Sequence, residues 1–163
     1  MVLGINRTTH GTRRPQPAPA CRASSPPRVL VATKEEGLRN FNSAICAARG
    51  FEVIQARWGD EALQLYRDRR PIALVITDLL YDWSDWRLTM RGDGKTIKNG
   101  IQLAVAIRKL HAKQRIIVQT YSAIAPVREH LTGSIADIVL LHKPYRSEEL
   151  TAFLDDLKLP AAG

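Results

Sequence analysis

The sequence predicts an α/β domain in which a parallel sheet is covered by helices on both faces. Three observations carry that prediction. Short β-branched apolar runs alternate with amphipathic stretches of helical period from Arg28 to Leu157. The runs are apolar throughout instead of alternating with polar residues, as strands buried on both faces require. The 163 residues, 45% of them apolar, suffice for one compact domain that buries roughly two thirds of its unfolded surface.

Val29-Leu30-Val31-Ala32 reads as the first strand, ending at Thr33-Lys34. Leu38, Phe41, Ile45 and Ala48 then recur at spacings of three and four, which places one apolar stripe on a helix that Gly50 closes in a left-handed cap. Phe51 to Ile54 is the second strand. Asp60 stands where it can cap a second helix starting at Glu61, and Arg70-Pro71 stops that helix. Ile72 to Ile76 is the most apolar strand, the third. A helix from Gly100 to Leu110 turns Leu103, Ile107 and Leu110 inward, and Ile116-Ile117-Val118 is the fourth strand. A short helix is expected near Pro126 to Leu131, then a fifth strand from Ile138 to Leu141. Ser147 caps the last helix, whose Leu150, Phe153 and Leu157 share a face.

The ends of the chain differ from this middle. Residues 1 to 27 carry Arg7, Arg13, Arg14 and Arg22 and no acid, and so half of the formal net charge of +8. Their prolines and lack of hydrophobic period predict a disordered, solvated tail, and no aromatic residue is there to stack on a base, so nucleic acid is not expected as a partner. The domain proper is 28 to 158, with residues 159–163 a short C-terminal tail. No run approaches the roughly eighteen apolar residues of a membrane span and no signal-peptide core is present, so a soluble, cytoplasmic protein without a membrane partner is expected. Cys21 and Cys46 form neither a metal-ligand spacing nor a disulfide framework, and Cys46 reads as core.

In a parallel sheet of this kind, ligands bind beyond the carboxyl ends of the strands, where strand order reverses. That rule selects Thr33, Lys34, Glu35 and Glu36 after strand one, Thr77 and Asp78 after strand three, Thr120 and Ser122 after strand four, and Lys143 after strand five. An acid, a hydroxyl and a lysine converging there suit a phosphoryl group, with Asp78 as nucleophile, Thr120 as hydrogen-bond donor and Lys143 as counter-charge. Singly, each has a plainer account: a strand-end acid, a turn residue, a solvated charge before a proline.

As an ordered set, Arg28-Val29-Leu30-Val31, Arg49-Gly50-Phe51-Glu52-Val53, Gly59-Asp60-Glu61-Ala62-Leu63, Leu74-Val75-Ile76-Thr77-Asp78-Leu79 and Leu141-His142-Lys143-Pro144-Tyr145 resemble the response-regulator receiver domain (CheY-like) over residues 28 to 158. The resemblance implies a doubly wound, five-stranded parallel sheet in a flavodoxin-like three-layer sandwich. It also implies Asp78 as phospho-acceptor, Thr120 as the hydroxyl that follows the phosphoryl group, Lys143 as its ion-pairing partner, and a cis bond between Lys143 and Pro144. The site in that family uses Mg2+, here assigned to Asp78, Glu35 and the backbone carbonyl of Leu80.

This chain departs from the pattern in three places. Thr33 and Lys34 stand where the family places two acids to hold magnesium, and an ammonium there repels the ion, so Thr33 and Lys34 are read as modulating the site. Glu35 and Glu36 read either as replacement ligands or as exposed acids stabilised by the dipole of helix one. Leu140 occupies the position of a switching aromatic residue, with Tyr121 either a stand-in or simply exposed. The loop at 81–99 is expanded and holds Trp83 and Trp86, which are expected to be partly buried; it reads either as an active-site cover or partner-docking element, with Asp82 or Asp85 as further oxygen donors, or as a loop folded onto its own domain by the tryptophans.

The function expected is a stand-alone receiver-like module of two-component phosphorelay type, not an enzyme. It would accept a phosphoryl group on Asp78 from a sensor histidine kinase or phosphotransfer protein and signal to a downstream protein partner, with a second copy of the chain as a further candidate partner. The alternative is a phosphorylation-independent pseudo-receiver in which Lys34 occupies the place of the metal near Asp78. An aspartate-based phosphatase is a third reading, set back because the next acid, Asp82, lies four positions after Asp78.

Overall fold

The structure, a computed structural model, describes residues 25–80 and 96–156. The tail readings for 1–24 and 159–163, and those for Asp82, Trp83, Asp85, Trp86 and Leu157, lie outside the described residues.

The described chain runs β1 (Arg28–Ala32), α1 (Glu36–Ala48), β2 (Glu52–Ala56), α2 (Gly59–Asp68), β3 (Leu74–Asp78), α3 (Gly100–Leu110), β4 (Ile116–Thr120), α4 (Ile124–Arg128), a 3-10 turn (Gly133–Ile135), β5 (Val139–His142) and α5 (Ser147–Asp156). The five strands form one parallel sheet in the order β2-β1-β3-β4-β5. Strand order reverses between β1 and β3, so the doubly wound architecture is as expected.

The period of two along each strand divides the core into two layers. Leu30, Val75, Val118 and Leu140 point to the side covered by Ala62 and Tyr66 of α2 and by Leu103 and Ile107 of α3. Val29, Val31, Leu74, Ile76, Ile117 and Leu141 point to the other side, under Cys46 of α1 and Leu150 and Leu154 of α5. Cys46 is core as expected, and burial pushes its thiol up to about 12. Gly50 closes α1 with a φ of 84°, a left-handed conformation that costs a residue without a Cβ little.

Several local expectations are corrected. The inward face of α1 is Arg39, Asn42 and Cys46, with Leu38 and Ile45 half-buried, while Phe41 is exposed and so is Ala48. Polar residues take this face because each finds partners: Asn42 donates to Gln119 and accepts from the Tyr145 hydroxyl, and Arg39 donates to the carbonyls of Thr33 and Lys34. Asp60 does not cap α2, which starts one residue earlier at Gly59; its carboxylate instead accepts from the Ile97 amide at 3.0 Å, while Glu61 accepts from the Arg57 amide ahead of the helix. Leu110 is exposed, as the last turn of α3 rolls out of the core. Strand β3 begins two residues later than expected and reaches Asp78, because Ile72 and Ala73 complete the turn after Pro71. Helix α4 begins before Pro126, which sits in its first turn where a missing N–H costs nothing. Ser147 is itself the first residue of α5, and Glu149 accepts from the Arg146 amide at 2.7 Å.

Among the described residues no helix is long and apolar enough to cross a membrane.

Candidate functional site

Parallel strands of similar length bring their last residues to one edge, and here those residues carry the chemistry. Asp78 ends β3, Thr120 ends β4, and Lys143 follows His142 at the end of β5. All three are buried and line one cleft of about 410 Å³ together with Lys34, Glu35, Leu80, Tyr121 and Ser122. The backbone ties these ends together: Leu79 donates its amide to Gln119, and Lys143 donates its amide to Thr120.

The Asp78 carboxylate is engaged on both oxygens. Lys143 Nζ donates to Oδ1 at 2.9 Å, and the Thr33 hydroxyl donates to Oδ2. Burial holds the Asp78 carboxyl above the usual aspartate value; Lys143 and the Thr33 hydrogen bond pull it back down without cancelling the loss of water, and Glu35 adds a small upward push. The Thr120 hydroxyl accepts from the Ser122 amide at 2.9 Å, which fixes its oxygen over the cleft.

The two residues expected to modulate the site separate. Thr33 touches Asp78, but Lys34 does not pair with it: its ammonium lies 5.0 Å from the centre of the Trp58 ring, which offers the cation an electron-rich face without the cost of burial. The expected pairing of Lys34 with Asp78 is therefore corrected. The cation at Asp78 is Lys143, and the group in the place of the missing acid is the Thr33 hydroxyl.

Glu35 reaches the site from the residue before α1. Its carboxylate lies 3.5 Å from Lys143 Nζ and 3.4 Å from the Tyr121 hydroxyl, although its side chain stays half exposed. Glu36 is exposed in the first turn of α1. Tyr121 is exposed, yet it is part of the site: its ring centre stands 4.4 Å from Lys143 Nζ. Leu140 is buried in the apolar core. The Lys143–Pro144 bond is cis, as expected, and Arg70–Pro71 is cis as well.

Two features went unread in the sequence. Gln119, fully buried beside Asp78, donates to the Tyr145 hydroxyl and accepts from Asn42, a polar network linking the cleft to α1 and to the segment between β5 and α5. Its signal was a glutamine at the end of an otherwise apolar strand. Gly100 opens α3 against the acceptor strand: a Cβ there would stand 2.2 Å from the Asp78 carbonyl oxygen. The Gly100 amide donates to Leu79, and Leu80 bridges Asn99 in an antiparallel pair.

Magnesium asks for an octahedral set of oxygens, with carboxylates supplying the charge. Both oxygens of Asp78 are held by donors, Glu35 leans on Lys143 and Tyr121, and Thr33 brings a neutral hydroxyl where a second carboxylate would stand. No group of three metal-binding side chains occurs among the described residues. The expected set of Asp78, Glu35 and Leu80 does not fit magnesium in this arrangement.

No family model and no curated protein matches the sequence. Solved structures do. A response regulator receiver protein from Sinorhizobium medicae superposes with a TM-score of 0.65 at 20% identity, over 85% of this chain and 98% of that one. A CheY-like receiver domain protein from Methanospirillum hungatei gives 0.63 at 19% identity, over 81% and 93%. The chemotaxis response regulator CheY4 of Vibrio cholerae gives 0.61 at 19% identity, over 80% and 98%. With the strand order and the two-layered core described above, these likenesses establish that the chain carries the doubly wound, five-stranded fold of the CheY-like receiver domains.

Proposed function

We propose that this chain is a receiver-type signalling module of the two-component kind, in which Asp78 accepts a phosphoryl group and the change is read by a partner protein. The observation that supports the reading is the meeting of Asp78, Thr120 and Lys143 at the ends of three successive strands in one cleft. In the transfer, an Asp78 carboxylate oxygen bonds to phosphorus as the donor's leaving group departs. Lys143 then turns its charge to the phosphoryl oxygens, and Thr120 offers a hydroxyl to them. The donor would be a sensor histidine kinase or a phosphotransfer protein, and the output a protein contact; the chain itself turns over no substrate.

The second reading, a module that binds its partner without phosphorylation, is favoured by the Thr33 hydroxyl on Asp78 and by the missing carboxylate. One experiment separates them. The protein and its Asp78→Asn variant are incubated with a small phosphodonor, with and without magnesium, and followed by intact mass. Addition of one phosphoryl group to the unmodified protein and none to the variant supports the acceptor reading. An unlabelled protein under all conditions points to the phosphorylation-independent module, and continuous release of phosphate from added esters to a phosphatase.

A further inference from the structure

The edge of the sheet opposite Asp78 is strongly basic, and much of its charge is unused by the fold. Arg69 and Arg70 lie in the turn before β3, and Lys113 and Arg115 in the turn before β4; all four are exposed. The two turns adjoin: Val75 donates its amide to the Arg115 carbonyl, and a cleft of about 450 Å³ is lined from both sides by Ile72, Ala73, Lys113 and Arg115. Arg28, at the start of β1, donates to the Arg69 carbonyl.

Structural roles account for other cations nearby. Arg28 pairs with Glu52, Arg49 with Asp155 and Arg108 with Asp137, while Arg67 and Lys109 sit in the last turns of α2 and α3, where the helix dipole favours them. Among the described residues no carboxylate pairs with Arg69, Arg70, Lys113 or Arg115. Arg70 leans over the Tyr66 ring, and Arg115 makes one long contact with the Asp156 carbonyl. Exposed like charges held this close raise each other's energy, and a polyanion relieves the strain by releasing its own counterions.

We infer that this edge docks duplex DNA through its phosphate backbone, without reading bases. The chemistry selects the partner. The band consists of cationic heads, rich in the guanidinium groups that match phosphate geometry. Among the described residues the exposed aromatics are Phe41, which packs on Tyr145 after β5, and Trp58 and Tyr121, which belong to the Asp78 edge or its neighbouring loop; none stands in the two basic turns to stack unpaired bases. Gln114, the amide that could meet a ribose hydroxyl, is buried on the Tyr66 hydroxyl. Among the described residues of these turns, Leu110 at the end of α3 is the one large apolar side chain left exposed, too little to enter a lipid surface. The acids in the first turns of α1, α2 and α5 lie at the opposite edge; Asp68, Asp155 and Asp156 end α2 and α5 on the basic one, where the cations outnumber them, so the duplex meets the molecule from one side and leaves the Asp78 cleft open. The inference stands whether or not Asp78 takes a phosphoryl group.

The test is fluorescence anisotropy of the full-length protein with a short labelled duplex of arbitrary sequence, repeated across salt concentrations. Four phosphate contacts give a slope of about −3.6 in log affinity against log salt, or a loss of about a hundredfold between roughly 50 and 200 mM. The double variants R69Q/R70Q and K113Q/R115Q should each flatten the measured slope by about 2, one per lost contact, with thermal midpoints unchanged. R69K/R70K, which keeps the charge, should keep the slope. An unchanged slope in the fourfold glutamine variant would overturn the assignment of the surface. So would tighter binding of a single strand than of the duplex, or binding of phosphatidylserine vesicles in place of DNA.

Discussion

Asp78 is held by a lysine on one oxygen and a threonine hydroxyl on the other, and its titration should report both. Its carboxyl stays protonated to higher pH in the folded protein than in the unfolded chain, because loss of water outweighs Lys143. Its contribution to stability is therefore complete below the usual aspartate value of 3.8 and is lost as pH rises through the raised folded value. Lys143→Met removes the largest downward influence, so carbon-detected NMR of the Asp78 carboxyl should show its midpoint moving further up; a downward move would refute the account of the pair. Thr33→Asp tests the missing acid. Without metal the new carboxylate should lower the thermal midpoint by like-charge repulsion, and added magnesium should then raise it, the fold gaining about 2.7 kcal/mol at a hundred times the dissociation constant. The unmodified protein should show no such rise, and an equal rise in both would mean that Glu35 and Asp78 already hold the ion.

Among the elements, α3 packs its first residue against the backbone of the acceptor strand, and a single glycine permits it. A methyl group at Gly100 would collide with the Asp78 carbonyl, a backbone atom that cannot swing away, so Gly100→Ala should cost roughly 1–3 kcal/mol in urea denaturation and displace the Asp78 strand end. Gly37, in the first turn of α1, has nothing within 4 Å of an added Cβ. Gly37→Ala should instead gain about 0.5–1 kcal/mol from helix propensity. Equal effects of the two substitutions would mean that the α3 approach is looser than the structure shows. Close approaches of this kind are silent in a single sequence, since a glycine at a helix start also reads as an ordinary cap. The face of α1 was illegible for a related reason: hydrophobic period placed Phe41 inward, but the partners Gln119, on β4, and Tyr145, in the segment after β5, came from far along the chain and made Asn42 the better fit.

At the scale of the molecule the fold was legible because its signals are local and repeated. Five apolar runs, each between helical stretches, allow few arrangements, and right-handed crossovers leave fewer still. The meeting of Asp78, Thr120 and Lys143 was legible for the same reason, since parallel strands deliver their ends to one edge whatever the side-chain details. The direction of Lys34 was not. A long flexible side chain chooses among nearby surfaces, and the Trp58 ring that attracts it lies beyond β2 in the chain. The unequal division of charge between the two edges also escaped composition, which records a net charge and not where it resides.

The bridge between Leu80 and Asn99 has a consequence for how this protein can vary. It clamps the chain as it departs from β3 and again as it returns to α3, and the Ile97 amide is pinned on Asp60 just before that return. Both ends of the intervening segment are thus fixed by the fold, and closing a longer connection between them costs only about 0.6 kcal/mol per doubling. The fold thus has a port, opening two residues after Asp78, at which sequence can be inserted or removed without renegotiating the core. Replacing residues 82–94 with a short glycine-serine linker should leave the far-ultraviolet circular dichroism intact and the thermal midpoint within a few degrees, while any partner recognition that resides in the insert would vanish with it.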